Sequence, residues 1–293
     1  MNDPRDRCSA LEQHSPRTRL WCLGTALAVV LSIIPFAPAG ADAAPVPVRF
    51  PEGLTHGFLL VRSAAGDIVG HGELTQTVKE GGVAESRLVF RFQDGSIHDE
   101  KVAFSQQRVF TLIRYQLSQR GPSFPQQMDV LVDRGTSTYE VRARTREDRT
   151  EKVLTGDIDV PKDAYNGMIV TTLLNLPREA NETVNVLAFV PEPMAIALEL
   201  AFVGEQVIRI GDQSRKAWQY AFKPDIGPVK KFLGTMLGKL PTDFRYDCYI
   251  LADEVPSFVR FEGPLQLMGP MLSIELISPQ MALTAEDRKH APR

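Results

Sequence analysis

The sequence predicts a mostly β protein with two helices, built on one large curved antiparallel sheet or half-barrel. Short runs that alternate apolar and polar residues follow one another from Gly57 onward, and turn residues separate them. Two segments, near 163–176 and 228–240, have helical spacing instead. Alternation with a period of two buries one face of a strand and leaves the other in water, as antiparallel sheets do. We therefore expect the two helices to cover the sheet.

The clearest hairpin signal is the Asp94-Gly95 pair, which separates "SRLVFRF" from "SIHDEKVAFS". Both residues tolerate the positive φ angles of a tight turn, so the pair predicts a hairpin. The two acidic residues that follow, Asp99 and Glu100, are neighbours on the second strand. They should therefore point to opposite faces of the sheet.

Two later runs predict which side chains are buried. In "RVFTLIRYQL" the alternation assigns one set to the core: Val109, Thr111, Ile113, Tyr115 and Leu117. It assigns another set to solvent: Arg108, Arg114 and Gln116. In "TYEVRART" the same pattern directs Tyr139, Val141 and Ala143 inward and the intervening charged residues outward.

The first helical segment lies within "PKDAYNGMIVTTLLNLP", residues 161–177. Pro161 suits a first helical position, and Asp163 suits a helix cap. Against a helix, the stretch after Met168 is rich in β-branched residues, and Asn166-Gly167 is a turn pair. We favour the helix. The second segment, "PVKKFLGTMLGKLP", carries its apolar residues on one stripe and its lysines on another, as an amphipathic helix does.

Composition divides the chain into three parts. Residues 1–43 contain arginines, an apolar run over 20–36 and small residues that suit a signal peptidase, which together predict an export signal. The signal is either cleaved, which leaves a periplasmic or extracellular protein, or kept as a membrane anchor. Residues 44–279 read as a single β-rich domain, and residues 280–293 as a disordered polar tail.

Charge and cysteine content exclude several classes of protein. Residues 1–43 carry four basic and four acidic side chains, so the net charge stays at −3 without them. A dedicated nucleic-acid binder needs a basic excess, so we expect no nucleic-acid partner. Cys248 is the one cysteine after residue 43, so the domain forms no internal disulfide. Its alternation with apolar residues predicts a buried thiol rather than a nucleophile.

Several stretches resemble a family of uncharacterised exported bacterial proteins: "LTHGFLLVRSAAGDIVGHGELTQ", "SRLVFRFQDGSIHDEKVAFSQ", "GPSFPQQMDV", Asn166-Gly167-Met168 and "FVRFEGPLQLMGPMLSIELISP". The resemblance covers most of residues 50–279. More distantly, the export signal and a helix before a closing hairpin are similar to envelope domains with a curved, LolA-like half-barrel. That likeness implies binding of a lipid or another apolar molecule in the concave face.

Catalytic and metal-binding motifs are absent from the sequence. It lacks the serine elbow, the Walker loop, the zinc-protease motif and paired cysteines. His56, His71 and His98 are far apart and lie near turns, so surface histidines are favoured over a zinc site. We expect no cofactor and no metal. A hydrolase assembled from scattered residues, with His71, His98 and Ser214 as candidates, stays as an alternative.

Two charged stretches have simple explanations. Asp94, Asp99 and Glu100 could supply carboxylates for a cation or for acid-base chemistry. The simpler interpretation is favoured, because Asp94 belongs to the turn, and Asp99 and Glu100 point to opposite faces of the sheet. The basic run from Arg142 to Arg149 is interleaved with acidic residues, so a solvated sheet face is favoured over a surface for anionic head groups.

The remaining candidate site is apolar. The two helices would line a cavity above the sheet with six residues: Met168, Ile169, Leu173, Phe232, Met236 and Leu237. We favour the interpretation that these side chains only fill the core over a ligand pocket. As a function, the leading hypothesis is an exported, non-catalytic envelope protein that binds a lipid or another apolar ligand. The alternative is a structural or interaction module whose edge strands pair with an envelope protein.

Overall fold

The computed structural model describes residues 45–145, 150–190, 192–210, 213–227, 229, 245–266 and 269–277. All of them belong to one compact unit. The predicted export signal at 1–43 and the predicted tail at 280–293 lie outside the described residues. Within the described ranges, none of the helical segments has the length and apolar character needed to traverse a bilayer.

The fold is mostly β, as the alternating runs predict. The strands are Thr55–Ser63 (β1), Ile68–Lys79 (β2), Val83–Phe92 (β3), Ile97–Gln106 (β4), Phe110–Arg120 (β5), Gln126–Asp133 (β6), Thr138–Thr145 (β7), Lys152–Asp157 (β8), Asn181–Phe189 (β9), Pro193–Ile210 (β10), Gln213–Pro224 (β11), Tyr246–Leu251 (β12), Ser257–Gly263 (β13) and Leu272–Ile277 (β14). One α-helix, Ile169–Asn175 (α1), lies between β8 and β9, and a short 3-10 turn, Glu80–Gly82, follows β2.

All fourteen strands form one open antiparallel sheet. Their order is β8-β7-β6-β5-β4-β3-β2-β1-β14-β13-β12-β11-β10-β9. Apart from β8 and β9, strands that follow one another along the chain are neighbours in the sheet, and β1 and β14 join the two halves. The edges are β8 and β9, so the chain must cross from one edge to the other between Asp157 and Asn181. Helix α1 lies in that crossing segment.

The sheet is strongly curved. Tyr115 of β5 and Phe189 of β9 stack with their ring centroids 6.0 Å apart. Ten strand positions separate β5 from β9, which would be roughly 48 Å in a flat sheet. The two halves therefore curl toward each other, and the crossing segment fills the space between them. Tyr165, Met168 and Leu173 of that segment are almost fully buried in the same core as residues from both halves.

Two polar side chains, one partly buried and one fully buried, anchor the crossing segment. The Arg134 guanidinium, after β6, donates to the carbonyl oxygens of Leu112 (2.6 Å), Val160 (2.7 Å) and Pro161 (2.6 Å). At the end of α1, the Asn175 Oδ1 accepts hydrogen bonds from the backbone N–H groups of residues 49 (2.8 Å) and 50 (2.6 Å). These hydrogen bonds connect both the sheet and the residues just before β1 to the crossing segment.

The helix lies inside the predicted range but begins later than predicted. Asp163 does not cap it; the Asp163 Oδ2 accepts a hydrogen bond from the side chain of Asn185 at 2.7 Å. Residues 162–168 form turns, because Gly167 adopts a φ of 69° and the preceding backbone pairs with the outer edge of β9. The Asn166 side chain extends this pairing by accepting from the N–H of Leu187 (2.7 Å) and donating to its carbonyl oxygen (2.9 Å).

The second predicted helix, near 228–240, falls mostly outside the described residues. Gly227 and Val229 are helical, and Val229 is almost fully buried. Nothing further in the predicted range 228–240 is described, so the lysine and apolar stripes of that segment stay predictions.

The buried face of β5 differs from the prediction in its first half. Phe110 and Leu112 are buried, whereas the alternation assigns Thr111 and Ile113 to the core. The pairing of β5 with β4 shifts between Leu112 and Arg114, which leaves Ile113 as a bulge. A bulge inserts one residue and reverses the alternation on one side of it. The prediction is therefore correct for Tyr115 and Leu117 and wrong for Val109, Thr111 and Ile113.

Candidate functional site

An apolar cavity of about 560 Å³ lies at one end of the strands. We call it the end cavity. Its wall is formed by Val69, Phe92, Phe124, Leu265, Met271 and Leu272, and its rim by Gln93, Asp94, Ser123 and Gln266, with the small residues 63–65 on one side. Pockets of this size with apolar walls and a few polar groups are typical of small-molecule sites.

Four connections that are distant in sequence build the end cavity: β1–β2, β3–β4, β5–β6 and β13–β14. The last two belong to strands at least five positions apart in the sheet, yet they are in contact. The Gln119 Nε2 donates to the carbonyl oxygen of Leu265 at 3.3 Å, and the Gln266 Nε2 donates to that of Ser123 at 3.4 Å. The curl of the sheet therefore creates the cavity by bringing these connections together.

Aromatic rings support the wall of the end cavity. Phe124 is buried, and its ring meets Phe92 edge to face with centroids 5.9 Å apart. Behind it, the His98 ring lies 6.3 Å from Phe124 and 5.7 Å from Phe90. A Cβ atom at Gly72 would lie 2.6 Å from the Phe90 ring, so only glycine leaves room for this stack. The sequence signal for it is the glycine pair in "GHG".

The polar rim is held by hydrogen bonds in the β3–β4 turn. The Asp94 Oδ1 accepts from the N–H of Ser96 (2.8 Å), and the Asp94 Oδ2 accepts from the hydroxyl of Ser123 (2.7 Å). Partial burial pushes the pKa of Asp94 upward, but the hydrogen bonds from Ser123 and Ser96 outweigh it and hold this pKa below its ordinary value. The rim therefore carries a fixed negative charge at neutral pH.

His98 lies beneath the cavity wall as a neutral histidine. The expected surface position of this histidine is wrong: His98 is almost fully buried, and its Nδ1 lies 3.0 Å from the side-chain nitrogen of Gln119. Burial lowers the pKa of His98 to about 4, although the neighbouring Asp99 acts in the opposite direction. A ring that stays unprotonated at neutral pH packs with the surrounding phenylalanines without the cost of burying a charge.

The residues proposed for a hydrolase or a zinc site do not converge. His71 is exposed on the opposite face of the sheet from His98, and Ser214 is exposed on β11, five strand positions from β2. The His56 Nε2 lies 2.8 Å from a carboxylate oxygen of Glu73. Among the described residues, no group of three or more histidine, cysteine or acidic side chains is placed to hold a metal ion.

Glu100 is an acidic residue on the inner face of the sheet. The Tyr115 hydroxyl donates to the Glu100 Oε1 at 2.8 Å, and the Tyr115 ring stacks on Phe189. Asp99 lies on the outer face, where its carboxylate accepts two hydrogen bonds from Arg87, at 3.0 and 2.7 Å. The predicted opposite orientation of Asp99 and Glu100 is confirmed. Burial raises the pKa of Glu100, and the hydrogen bond from Tyr115 only partly offsets this.

Replacing Glu100 with glutamine should increase stability at high pH. Because the folded-state pKa of Glu100 is raised, the favourable contribution of its protonated form is present at low pH and is lost as the pH rises above the ordinary value. The amide of Glu100→Gln keeps an acceptor for Tyr115 but carries no charge. Unfolding free energies measured by denaturant titration should favour the variant at pH 8 and converge with those of the wild type as the pH falls to 4.

The same measurements on Asp99→Asn provide the matched control, since Asp99 is the neighbouring acid on the outer face. Its ion pair with Arg87 and a lowered pKa, for which the hydrogen bond from Arg87 is the main cause, predict the opposite sign. Asp99→Asn should lose stability relative to the wild type as the pH rises. If Glu100→Gln showed no pH-dependent gain, Glu100 would not be desolvated in the folded state.

The predicted apolar lining residues lie in two places. Met168 and Leu173 are almost fully buried in the core, and Ile169 is partly buried against it. These three residues line neither the end cavity nor a second, polar cavity on the outer face of the sheet. Phe232, Met236 and Leu237 lie outside the described residues, so a cavity shared by both helices stays a prediction.

Other predictions about individual residues are confirmed. Cys248 is fully buried, and burial raises the pKa of its thiol far above the ordinary value, which makes it a poor nucleophile. Gly95 adopts a φ of 83° in the predicted turn. On the outer face of β7, Arg142 forms an ion pair with Glu140, and Arg144 donates to Gln127 at 2.9 Å, as expected of a solvated face. Arg146 and Arg149 lie outside the described residues.

A polar cavity of about 340 Å³ lies on the outer face of β2–β5. Three of its four charged lining residues are already in ion pairs: Arg87 with Asp99, Arg114 with Asp133 at 3.4 Å, and Glu85 with Lys79. Solvated ion pairs of this kind are ordinary on the exposed face of an antiparallel sheet. We therefore place the candidate functional site at the end cavity.

The fold and the site define a mostly β protein with one open, curled antiparallel sheet and an apolar cavity at the strand ends. Comparison of the chain with protein-family models, curated proteins and solved structures finds no match. The function is therefore argued from the geometry of the end cavity.

Proposed function

We propose that the protein binds an apolar small molecule, of the size of a single acyl or alkyl chain, in the end cavity without catalysing a reaction on it. The observation that carries the proposal is the cavity of about 560 Å³ with an almost wholly apolar wall and a polar rim. Burial of apolar ligand surface contributes roughly 25 cal/mol per Å² to the free energy of binding, so a chain of methylene groups gains affinity along its buried length.

The wall combines rigid and adaptable parts. Phe92 and Phe124 are fixed by their mutual edge-to-face contact, and Leu272 is buried. Met271 is 48% exposed at the cavity, so its side chain is accessible to a ligand. Methionine side chains adapt to ligands of different shape. The end cavity therefore suits a flexible alkyl chain better than a rigid polar metabolite.

The rim favours a neutral head group. Asp94 is the one ionisable side chain among the described residues that line the end cavity. Its carboxylate repels another carboxylate, whereas Gln93, Ser123 and Gln266 offer hydrogen bonds to a hydroxyl or an ester. We therefore expect 1-decanol to bind more tightly than decanoate at neutral pH.

The proposed location is the bacterial envelope or its exterior. The apolar run and small residues within 1–43 support export. Val46, close to the end of that segment, packs in the core, and its N–H donates to the hydroxyl of Tyr165 at 2.8 Å. An exported protein with a chain-sized apolar cavity would shield a lipid fragment or another poorly soluble molecule from water.

Filling the cavity should abolish binding. Ala65→Trp places an indole at the cavity wall from an exposed turn position, so the core is not disturbed. Calorimetric titration with 1-decanol should show saturable binding to the wild type and an affinity at least about tenfold weaker for the variant, a change of about 1.4 kcal/mol.

The matched control is Glu80→Trp, which adds the same side chain at an exposed position at the other end of β2. It should bind 1-decanol as the wild type does. Equal binding by all three proteins, or no binding by the wild type, would contradict the proposed site.

A further inference from the structure

Strand β10 is longer than its neighbour at the sheet edge. It spans Pro193–Ile210, and β11 pairs with it as far as Ile210. On its other side, β9 pairs only with residues 193–201. No described strand pairs with residues 202–210 on that side, so this half of β10 is an open edge in the part of the chain that the structure describes. Unpaired edges readily accept a further strand.

The pairing with β11 determines which backbone groups point to the open edge. Ile210 is opposite Gln213, and only two residues separate them. The pair of residues that closes such a hairpin is hydrogen-bonded. Hydrogen-bonded pairs alternate with non-hydrogen-bonded pairs along an antiparallel ladder. The N–H and C=O groups of Ile208 and Ile210 therefore point to β11. Those of Glu205, Val207 and Arg209 point to the open edge.

We propose that the open edge of β10 pairs in antiparallel orientation with the same edge of a second copy of this chain, about a two-fold axis at Val207. The central side chain fits this role, because Val207 is 73% exposed. In the pair, each Val207 would lie opposite its counterpart, so both apolar side chains lose contact with water. A two-fold axis closes the assembly at a dimer.

Charge complementarity selects this register. The outward-pointing residues must face one another, which allows symmetric pairings centred on any residue from 205 to 209, and centring on 205 or 209 places like charges opposite each other. Centring on 207 places Glu205 opposite Arg209 of the second copy, and the two-fold axis repeats that pair. Centring on 206 places Glu205 opposite a valine, and centring on 208 places Val207 opposite an arginine. Only the register at 207 pairs both charges with opposite charges.

The local surroundings are compatible with this pairing. Glu205 is held on the same face as Val207 by Arg178, whose Nη2 donates to it at 2.7 Å, and by Lys216 at 3.9 Å. A carboxylate accepts several hydrogen bonds at once, so it can also meet Arg209 of the second copy. Edges that are protected against pairing often carry lysines or other charged side chains that an identical edge would not complement. This edge carries opposite charges placed symmetrically about Val207, which attract a second copy.

Charge reversal tests the register. In the proposed dimer, Arg209→Glu places carboxylates opposite each other at both ends, and Glu205→Arg does the same with guanidinium groups. Sedimentation velocity over a concentration series should show a reversible wild-type dimer. It should show dimerisation at least about tenfold weaker for each single variant. An equimolar mixture of the two single variants should dimerise again, because every opposing pair is then of opposite sign.

Val207→Pro is a second test that does not depend on charge. The Val207 N–H points to the open edge, so proline at this position removes a bond to the second copy and leaves the pairing with β11. Circular dichroism checks that each variant is folded. A monomeric wild type would overturn the proposal. So would single variants that dimerise like the wild type, or a mixture that does not regain dimerisation.

Discussion

Replacing Arg134 with methionine is expected to lower the free energy of unfolding by about 3 to 5 kcal/mol. One guanidinium binds three backbone carbonyl groups, of Leu112, Val160 and Pro161, at 2.6 to 2.7 Å. Hydrogen bonds from a charged donor are each worth about 1.5 to 3 kcal/mol, and the loss leaves partly buried acceptors without a donor. Arg134 also ties the sheet to the crossing segment, so its removal should loosen that segment first.

Denaturant titration with hydrogen exchange measures both effects. Arg134→Lys should be intermediate, because an ammonium group cannot reproduce the planar fork of a guanidinium. The matched control is Arg114→Met, which removes a half-exposed ion pair with Asp133 and should cost less than about 1 kcal/mol. Equal losses for Arg134→Met and Arg114→Met would show that the three carbonyl bonds do not hold the crossing segment.

Acidification from pH 7 to 4 should cost the protein about 3 kcal/mol of stability through His98 alone. The pKa of the buried ring is about 4, against about 6.5 in the unfolded chain. Between these values the unfolded state takes up a proton that the folded state does not, so stability falls as the pH falls. Each unit of difference in pKa corresponds to about 1.36 kcal/mol.

His98→Asn keeps a polar partner for Gln119 but does not titrate. It should be less stable than the wild type at pH 7, and the gap should narrow toward pH 4. Phe90→Leu removes a ring that contacts His98 but does not remove a titratable group. The plot of its stability against pH should therefore run parallel to that of the wild type. A parallel profile for His98→Asn as well would mean that His98 is not shielded from solvent.

The strands were predictable because each carries its own pattern. Residues that are adjacent in the sequence determine the Asp94-Gly95 turn, the faces of β7 and the opposite orientation of Asp99 and Glu100. The bulge at Ile113 was not predictable, since nothing in "RVFTLIRYQL" marks an extra residue there. It arises from the fit of β5 to β4 and reverses the buried face of the first half of the strand.

The start of the helix was mispredicted for a related reason. Pro161 and Asp163 resemble a helix start, but the backbone after them pairs with β9, and Asp163 bonds to Asn185 instead of to the helix. Such pairing joins residues about twenty positions apart in the chain. Of the opposing signals, the Asn166-Gly167 turn pair proved decisive, because Gly167 takes the left-handed conformation that ends the turn before α1.

The end cavity could not be found from local patterns. Its wall combines Val69, Phe92 and Phe124 with Leu265 and Leu272, which the curl of the sheet brings together. A lipid-like ligand was predicted from the resemblance to half-barrel domains, with Met168 and Leu173 as lining. The structure places those two side chains in the core, and the proposed site lies instead at the strand ends, where Met271 is exposed.

Methionine-methyl NMR during a titration with 1-decanol tests the central claim most directly. Met271 lines the end cavity, whereas Met168 is 1% exposed in the core beside α1. Substituting each methionine in turn assigns the two signals. The proposed function predicts that the Met271 signal shifts to saturation while the Met168 signal stays in place. A shift confined to Met168, or no shift at either methionine, would contradict it.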